Sequence, residues 1–152
     1  KGGAALVLLA CIASGVLTLM WWVNDDPQLY SKGELQIAEW IKLHTDPEAV
    51  WLTSDAHHHP VYTLAGRRIV LGLRWWLWSH GVDFKEVEQD VNRFFMTADC
   101  SVSSKYGATY VYLGPDEDHI EKAKRELFKA PNYQKIYETN SAGNVEIYKI
   151  RC

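Results

Sequence analysis

At 152 residues, 47% of them hydrophobic and 23% charged, the chain has material for one domain with a real core and no more. Its formal charge of -3 and isoelectric point near 6.1 come with basic residues scattered among acids. That excludes a phosphate-neutralising surface, and with it a nucleic-acid partner.

The chain opens on Lys1 and runs at once into an apolar segment, so it is read as a piece of a longer protein or a processed product. Gly2 to Val23 holds no charge, and its polar side chains, Ser14 and Thr18, are small hydroxyls that bond back to helix carbonyls. At about 1.5 Å per residue, such a helix crosses a hydrocarbon layer of about 30 Å. Trp21 and Trp22 fall where indoles prefer the interface, and Asn24, Asp25, Asp26 and Pro27 return the chain to water. The division is therefore a transmembrane helix over residues 1–24 and a soluble domain over 25–152. A signal peptide has a shorter apolar region and a small-residue cleavage site, unlike Trp-Trp-Val-Asn-Asp-Asp; a signal anchor and a buried core helix are the other readings. One Lys before the span and two Asp after it place the soluble part on the non-cytosolic side. The implied partners are the lipid bilayer and other transmembrane helices or membrane subunits.

In the soluble part, Ser31-Lys32-Gly33-Glu34 is a capping box, so a helix begins near Ser31. Leu35, Ile37, Ala38, Trp40 and Ile41 supply its apolar face, and Thr45-Asp46-Pro47 stops it. Ala49 to Thr53 reads as a first strand and Arg68 to Leu71, between Gly66 and Gly72, as a second. Asp83 and Glu86 repeat the capping pattern for a helix to Met96, with Val87, Val91, Phe94 and Phe95 as its buried stripe. A short helix follows from Asp99 to Tyr106, ending at Gly107, and then a strand from Thr109 to Leu113. After Gly114-Pro115, a further helix opens on Asp116, Glu117 and Asp118 and closes on Lys122, Lys124, Arg125 and Lys129, matching the helix dipole. Ile120, Ala123, Leu127 and Phe128 face its core side. Tyr133 to Thr139 and Val145 to Ile150 form a hairpin through Asn140-Ser141-Ala142-Gly143.

Strands alternating with helices predict a small three-layer α/β domain, its sheet mainly parallel with a C-terminal antiparallel hairpin at one edge. Ligands gather outside the carboxyl ends of parallel strands. Asp55 to His59, Gly72 to His80 and Gly114 to Asp118 follow three successive strands, so all three segments should share one rim.

That rim draws on Asp55 to Asp83, which concentrates four of the six histidines and three of the seven tryptophans. In an extended stretch Asp55, His57 and His59 point one way, a donor set suited to zinc if His80 approaches. No Cys or Glu at ligand spacing completes it, and satisfied loop histidines explain the same residues. Trp75, Trp76 and Trp78 with His80 fit a sugar-stacking platform; core packing or rest on a bilayer surface explains them equally. Of Arg67 and Arg68, one suits an anion and the other an acidic neighbour. The chain has no Gly-rich phosphate loop, Gly-x-Ser-x-Gly elbow or Cys-x-x-Cys, so no catalytic residue is assigned, no cofactor is named and its standing as an enzyme is left open. Cys100 and Cys152 pair in an oxidising compartment or stay free, and neither Asn24 nor Asn140 opens a glycosylation sequon.

The succession His59-Pro60-Val61, Leu64-Ala65-Gly66-Arg67, Gly72, Leu77-Trp78-Ser79-His80-Gly81 with Asp83, then Lys105-Tyr106-Gly107-Ala108-Thr109-Tyr110-Val111, resembles the carboxy-terminal extracytoplasmic domain of polytopic GT-C-type membrane glycosyltransferases. There a last transmembrane helix runs into a small α/β domain. The resemblance implies sugar transfer from a polyprenyl-phosphate donor, with the acidic base in an early loop between transmembrane helices that this chain does not include. Asp55, His57, His59, Arg67, Trp78 and His80 would then line the face that looks toward the membrane cavity, contacting acceptor or steadying loops. The rivals are a non-catalytic single-span accessory subunit of a larger membrane complex and a metal-dependent hydrolase.

Overall fold

A computed structural model describes residues 2–24, 28–120 and 124–152. The first helix, α1 (Gly2–Asn24), is long and apolar enough to cross a membrane, and none of its side chains is buried in the protein. This overturns the core-helix alternative. Its two hydroxyls are satisfied within the helix, Ser14 Oγ donating to the Cys11 carbonyl and Thr18 Oγ1 to that of Ser14, both at 2.9 Å. With both hydroxyls bonded inside the helix, neither needs water along the rod.

The remaining elements are α2 (Lys32–His44), β1 (Val50–Leu52), α3 (Pro60–Thr63), β2 (Arg68–Ile69), α4 (Arg74–Ser79), α5 (Lys85–Thr97), α6 (Cys100–Tyr106), β3 (Ala108–Leu113), α7 (Pro115–Asp118), a 3-10 turn (Arg125–Lys129), β4 (Tyr133–Thr139) and β5 (Val145–Ile150). The five strands form one sheet in the order β2-β1-β3-β5-β4. β2, β1 and β3 run parallel, and the hairpin joins antiparallel through β5, leaving β4 as an edge.

Strand alternation sorts the core into two layers. Trp51, Tyr110, Tyr112, Val145 and Ile147 meet Ile37, Ala38 and Ile41 of α2 and Val61 of α3 on one face. Leu52, Val111, Leu113, Tyr148 and Ile150 meet Val91, Phe94 and Phe95 of α5, Val102 of α6 and Phe128 on the other. β3 is covered on both sides, which is why its sequence is almost continuously apolar. The outcome is the three-layer α/β domain expected.

Local chemistry explains most boundaries. The Ser31 box closes as written, Glu34 N donating to Ser31 Oγ at 3.2 Å and Ser31 N to Glu34 Oε2 at 2.7 Å. Gly33 permits the hairpin turn to lie against α2: a Cβ there would sit 2.3 Å from the Ser141 carbonyl oxygen. Leu35, expected on the core face, is half exposed. Asp99 caps α6 through Ser101 N at 2.9 Å, and Gly107 ends it in the left-handed region at φ 64°. A disulfide joins Cys100 to Cys152 with a Cα–Cα separation of 5.5 Å, tying the carboxyl terminus to α6.

Two expectations fail for identifiable reasons. The second capping box does not form, because Asp83 Oδ1 accepts from Lys85 N, two residues on, at 3.2 Å, leaving Phe84 as an N-cap with no side-chain bond. The long helix after β3 is absent as well: α7 stops at Asp118 and a separate 3-10 turn follows. Glu117 turns into the core, while Asp118 faces out to Arg125 through paired bonds of 2.8 Å, which closes the chain on itself instead of extending it. Lys122 and Ala123, assigned to that helix, lie outside the described residues.

Candidate functional site at the carboxyl ends of the parallel strands

The chain leaves β1, β2 and β3 at one end of the sheet, and the three exits enclose a cavity of about 490 Å³. Ser54, Asp55, Arg74 and Asp116 come from the exits, and Glu88 and Asn92 from one side of α5, four residues apart.

The floor is fixed by a buried pair. His59 and Glu117 are both 0% exposed, and His59 Nε2 lies 3.0 Å from Glu117 Oε1. His59 Nδ1 accepts from Val61 N at 3.2 Å, capping α3, so Nε2 carries the proton and donates to Glu117. The same carboxylate accepts from Ser54 N at 2.7 Å and Gly114 N at 2.9 Å. One side chain thus joins the exits of β1 and β3. Burial opposes its ionisation, but attraction to the His59 ring and the bonds from His59 and Ser54 outweigh that penalty and hold Glu117 below the ordinary carboxylate range.

The wall is a second polar group. Arg74 Nε and Nη2 donate to the two Asp55 oxygens at 2.5 and 3.1 Å, and Nη1 donates to Glu88 Oε1 at 2.6 Å. These bonds raise the Arg74 pKa and bridge the exits of β1 and β2 to α5. Across the cavity, partial burial and the neighbouring Glu117 charge raise Asp116. Tyr62 braces the β1 loop from outside, its hydroxyl 2.6 Å from the Ala56 carbonyl oxygen and 3.0 Å from that of His57. Burial, then Tyr30, Asp55 and Asp116, push its pKa up to about 12.

Ser54 Oγ is buried at the cavity wall and has no hydrogen-bond partner among the described residues. An unpaired buried hydroxyl costs roughly 1–3 kcal/mol, which a bound oxygen or nitrogen recovers. With carboxylates, an amide and a guanidinium around it, the cavity offers donors and acceptors suited to a hydroxyl-rich ligand.

The residues singled out from the sequence divide. Asp55 lines the cavity and His59 lies under it. His57 is exposed and meets His58 edge to face at 4.5 Å. The zinc-like trio does not assemble, because residues 57–59 turn into α3 instead of extending, His59 is spent on Glu117 and Asp55 on Arg74. Among the described residues no cluster of three metal-ligating side chains forms. Arg67 sits at the opposite end of the sheet, buried, donating to the Ile41, Lys42 and Thr45 carbonyls at 3.2 Å. It satisfies the orphan carbonyls of α2. Arg68 takes the acidic neighbour, Glu48, at 3.2 Å. Trp78 and His80 stand on and just after α4, exposed, outside the cavity lining. The core-packing reading of Trp75, Trp76 and Trp78 is thereby overturned, since only Leu77 of α4 packs inward. Ser54, Glu88 and Asn92 escaped the sequence reading, and Glu117 stood in it only as a member of the Gly114 to Asp118 rim segment, read as a helix start first and a metal site second. The four-residue spacing of Glu88 and Asn92 beside Val91 was the one usable signal; a lone Ser and a mid-run Glu carry none.

The chain also enters the domain at this rim. Tyr30, just before α2, meets the ring of His58 at 5.7 Å. The start of α2 lies on the hairpin turn, which adjoins the carboxyl end of β3 through the Leu113–Glu146 pairing.

No protein-family model and no curated protein matches the chain. Among solved structures it is similar to the C-terminal globular domain of oligosaccharyltransferase from Archaeoglobus fulgidus, with a TM-score of 0.52 and 13% identity over 80% of this chain and 98% of that domain. At that identity the likeness is one of fold.

Proposed function

We propose that the chain is the carboxy-terminal soluble domain, with its adjoining membrane span, of an integral-membrane glycosyltransferase that uses a polyprenyl-phosphate sugar donor. The domain does not catalyse transfer alone; its rim binds the acceptor and supports the active site. The observation that carries this reading is the position of the cavity, at the end of the sheet where the chain arrives from α1. An unpaired buried hydroxyl among carboxylates and an amide suits an acceptor presenting hydroxyl or amide groups. The similarity to an oligosaccharyltransferase domain, over nearly all of that domain's length, supports the reaction class. Asp55 and Arg74 form the contact wall, Ser54, Asn92 and Asp116 meet the ligand, and His59 positions the loop. The soluble part lies on the non-cytosolic side, where such donors are consumed.

The test is sugar transfer by the complete membrane protein purified from its native membrane, comparing parent with Asn92→Ala and Ser54→Val. Both variants should raise KM for acceptor while KM for donor and the unfolding temperature stay near the parent values. Unchanged acceptor KM in both would remove the cavity from acceptor binding. A mature protein of this length that co-purifies with other subunits and supports no transfer would instead establish the accessory subunit.

A further inference from the structure

The exit of β2 carries a different feature. Trp75, Trp76 and Trp78 of α4 are 77%, 63% and 70% exposed, and Val82 beyond them is 49% exposed. No Asp, Glu, Lys or Arg occurs from Trp75 to Val82, and Trp75 and Trp78 meet edge to face at 6.3 Å. Arg74, next to them in the chain, is turned away to Asp55 and Glu88. Three indoles gathered in water on one short helix mark a surface that something covers.

What covers it follows from how the domain is tethered. Only residues 25–31 separate α1 from α2, a reach of about 25 Å when fully extended. Tyr30 touches His58 in the β1 exit loop, so the tether enters on the rim from which α4 also emerges, β1 and β2 being parallel. A rim tied this closely to the end of a span faces lipid headgroups, the depth at which an indole buries its ring and keeps its N–H wet. We infer that α4 is an interfacial anchor: Trp75, Trp76 and Trp78 lie in the headgroup layer of the bilayer that α1 crosses, and hold the rim against the membrane. The inference rests on α1 as a span and stands apart from the glycosyl-transfer reading. Lipid is favoured over a protein partner because the patch is uncharged and beside the tether.

The test uses the whole chain in phosphatidylcholine nanodiscs, in a Cys11→Ser background with the Cys100–Cys152 disulfide intact. A polarity-sensitive fluorophore is placed at Val82→Cys, which keeps all three tryptophans, and separately at Trp78→Cys. The control is Thr109→Cys, exposed near the opposite end of β3. Nitroxide lipids, labelled at the headgroup or at mid-chain, serve as quenchers. Both α4 labels should lose intensity to headgroup nitroxide, less to mid-chain nitroxide, and the control should lose none. Adding Trp75→Ser, Trp76→Ser and Trp78→Ser to the Val82 label should abolish its quenching. An α4 label quenched no more than the control overturns the inference. So does a blue-shifted label untouched by either nitroxide, which would mean that protein covers the patch.

Discussion

Glu117→Gln is the most informative single perturbation, because it keeps shape and removes charge at the side chain that joins the exits of β1 and β3. The carboxylate accepts three N–H groups, from His59 Nε2, Ser54 N and Gly114 N, at 2.7 to 3.0 Å. A glutamine presents one oxygen. Placed toward His59 and Ser54 it keeps two bonds without charge assistance, a loss of about 1 kcal/mol each, and turns its NH2 onto Gly114 N–H, which leaves a buried donor unpaired at about 1–3 kcal/mol. The sum is about 3–5 kcal/mol, or roughly 12 °C of unfolding temperature for a chain of this size. Thermal unfolding followed by near-ultraviolet circular dichroism measures it. The neighbour Asp118→Asn, half-exposed and paired with Arg125, should cost less than about 1 kcal/mol and serves as the comparison. The acid limb gives an independent check. The folded-state pKa of Glu117 lies below its unfolded value, so its stabilisation is complete above the unfolded pKa of about 4.3 and is lost as pH falls through the lower folded value. Glu117→Gln should remove that share of the acid destabilisation. If the variant unfolds within about 0.5 kcal/mol of the parent, or keeps the full acid slope, the clamp is not what fixes the rim.

Gly33→Ala ordinarily stabilises a helix by about 1 kcal/mol, yet here the added Cβ meets backbone at Ser141, so a loss of about 1–3 kcal/mol is expected in chemical denaturation. Cys152→Ser opens a loop with a sequence separation of 52, worth about 4 kcal/mol by chain entropy; unfolding temperature should fall with no further drop on adding reductant. Phe94→Ala empties a site enclosed by Phe95, Phe128 and Tyr133 and should cost about 3–5 kcal/mol, seen as a lower denaturant midpoint at an unchanged slope.

Elements whose signals are local were legible from residues alone. The box at Ser31 needs only Glu34, the stripe of α5 needs only helical spacing, and the hairpin needs only its turn, so these stand where they were expected. Local signals that compete were not. Asp83 with Glu86 has the same spacing as Ser31 with Glu34, but aspartate also closes a two-residue turn onto Lys85, and that alternative wins while Phe84 packs against the core. Long-range partners were invisible. Asp116-Glu117-Asp118 reads as a solvated helix start until Ser54 and His59, about sixty residues earlier, arrive to bury its middle member. Arg67 looked like an anion ligand for the converse reason: its partners are carbonyls freed by the end of α2, which no pattern around residue 67 reveals.

The clamp also makes fold and site inseparable. Ser54, whose hydroxyl is unpaired at the cavity wall, is held by its own amide on Glu117, and Asp116 owes its raised pKa partly to the same carboxylate. Removing the Glu117 charge therefore does two things at once. It loosens the loop that aims the hydroxyl, and it withdraws the repulsion that keeps Asp116 raised, so the Asp116 pKa should fall in Glu117→Gln even if the backbone does not move. Carboxyl titration of Asp116 by NMR separates the two. A lowered Asp116 pKa with unchanged Ser54 amide protection isolates the electrostatic coupling, whereas an unchanged pKa would mean that burial, with the Glu34 charge, raises Asp116 and that the clamp acts only through geometry.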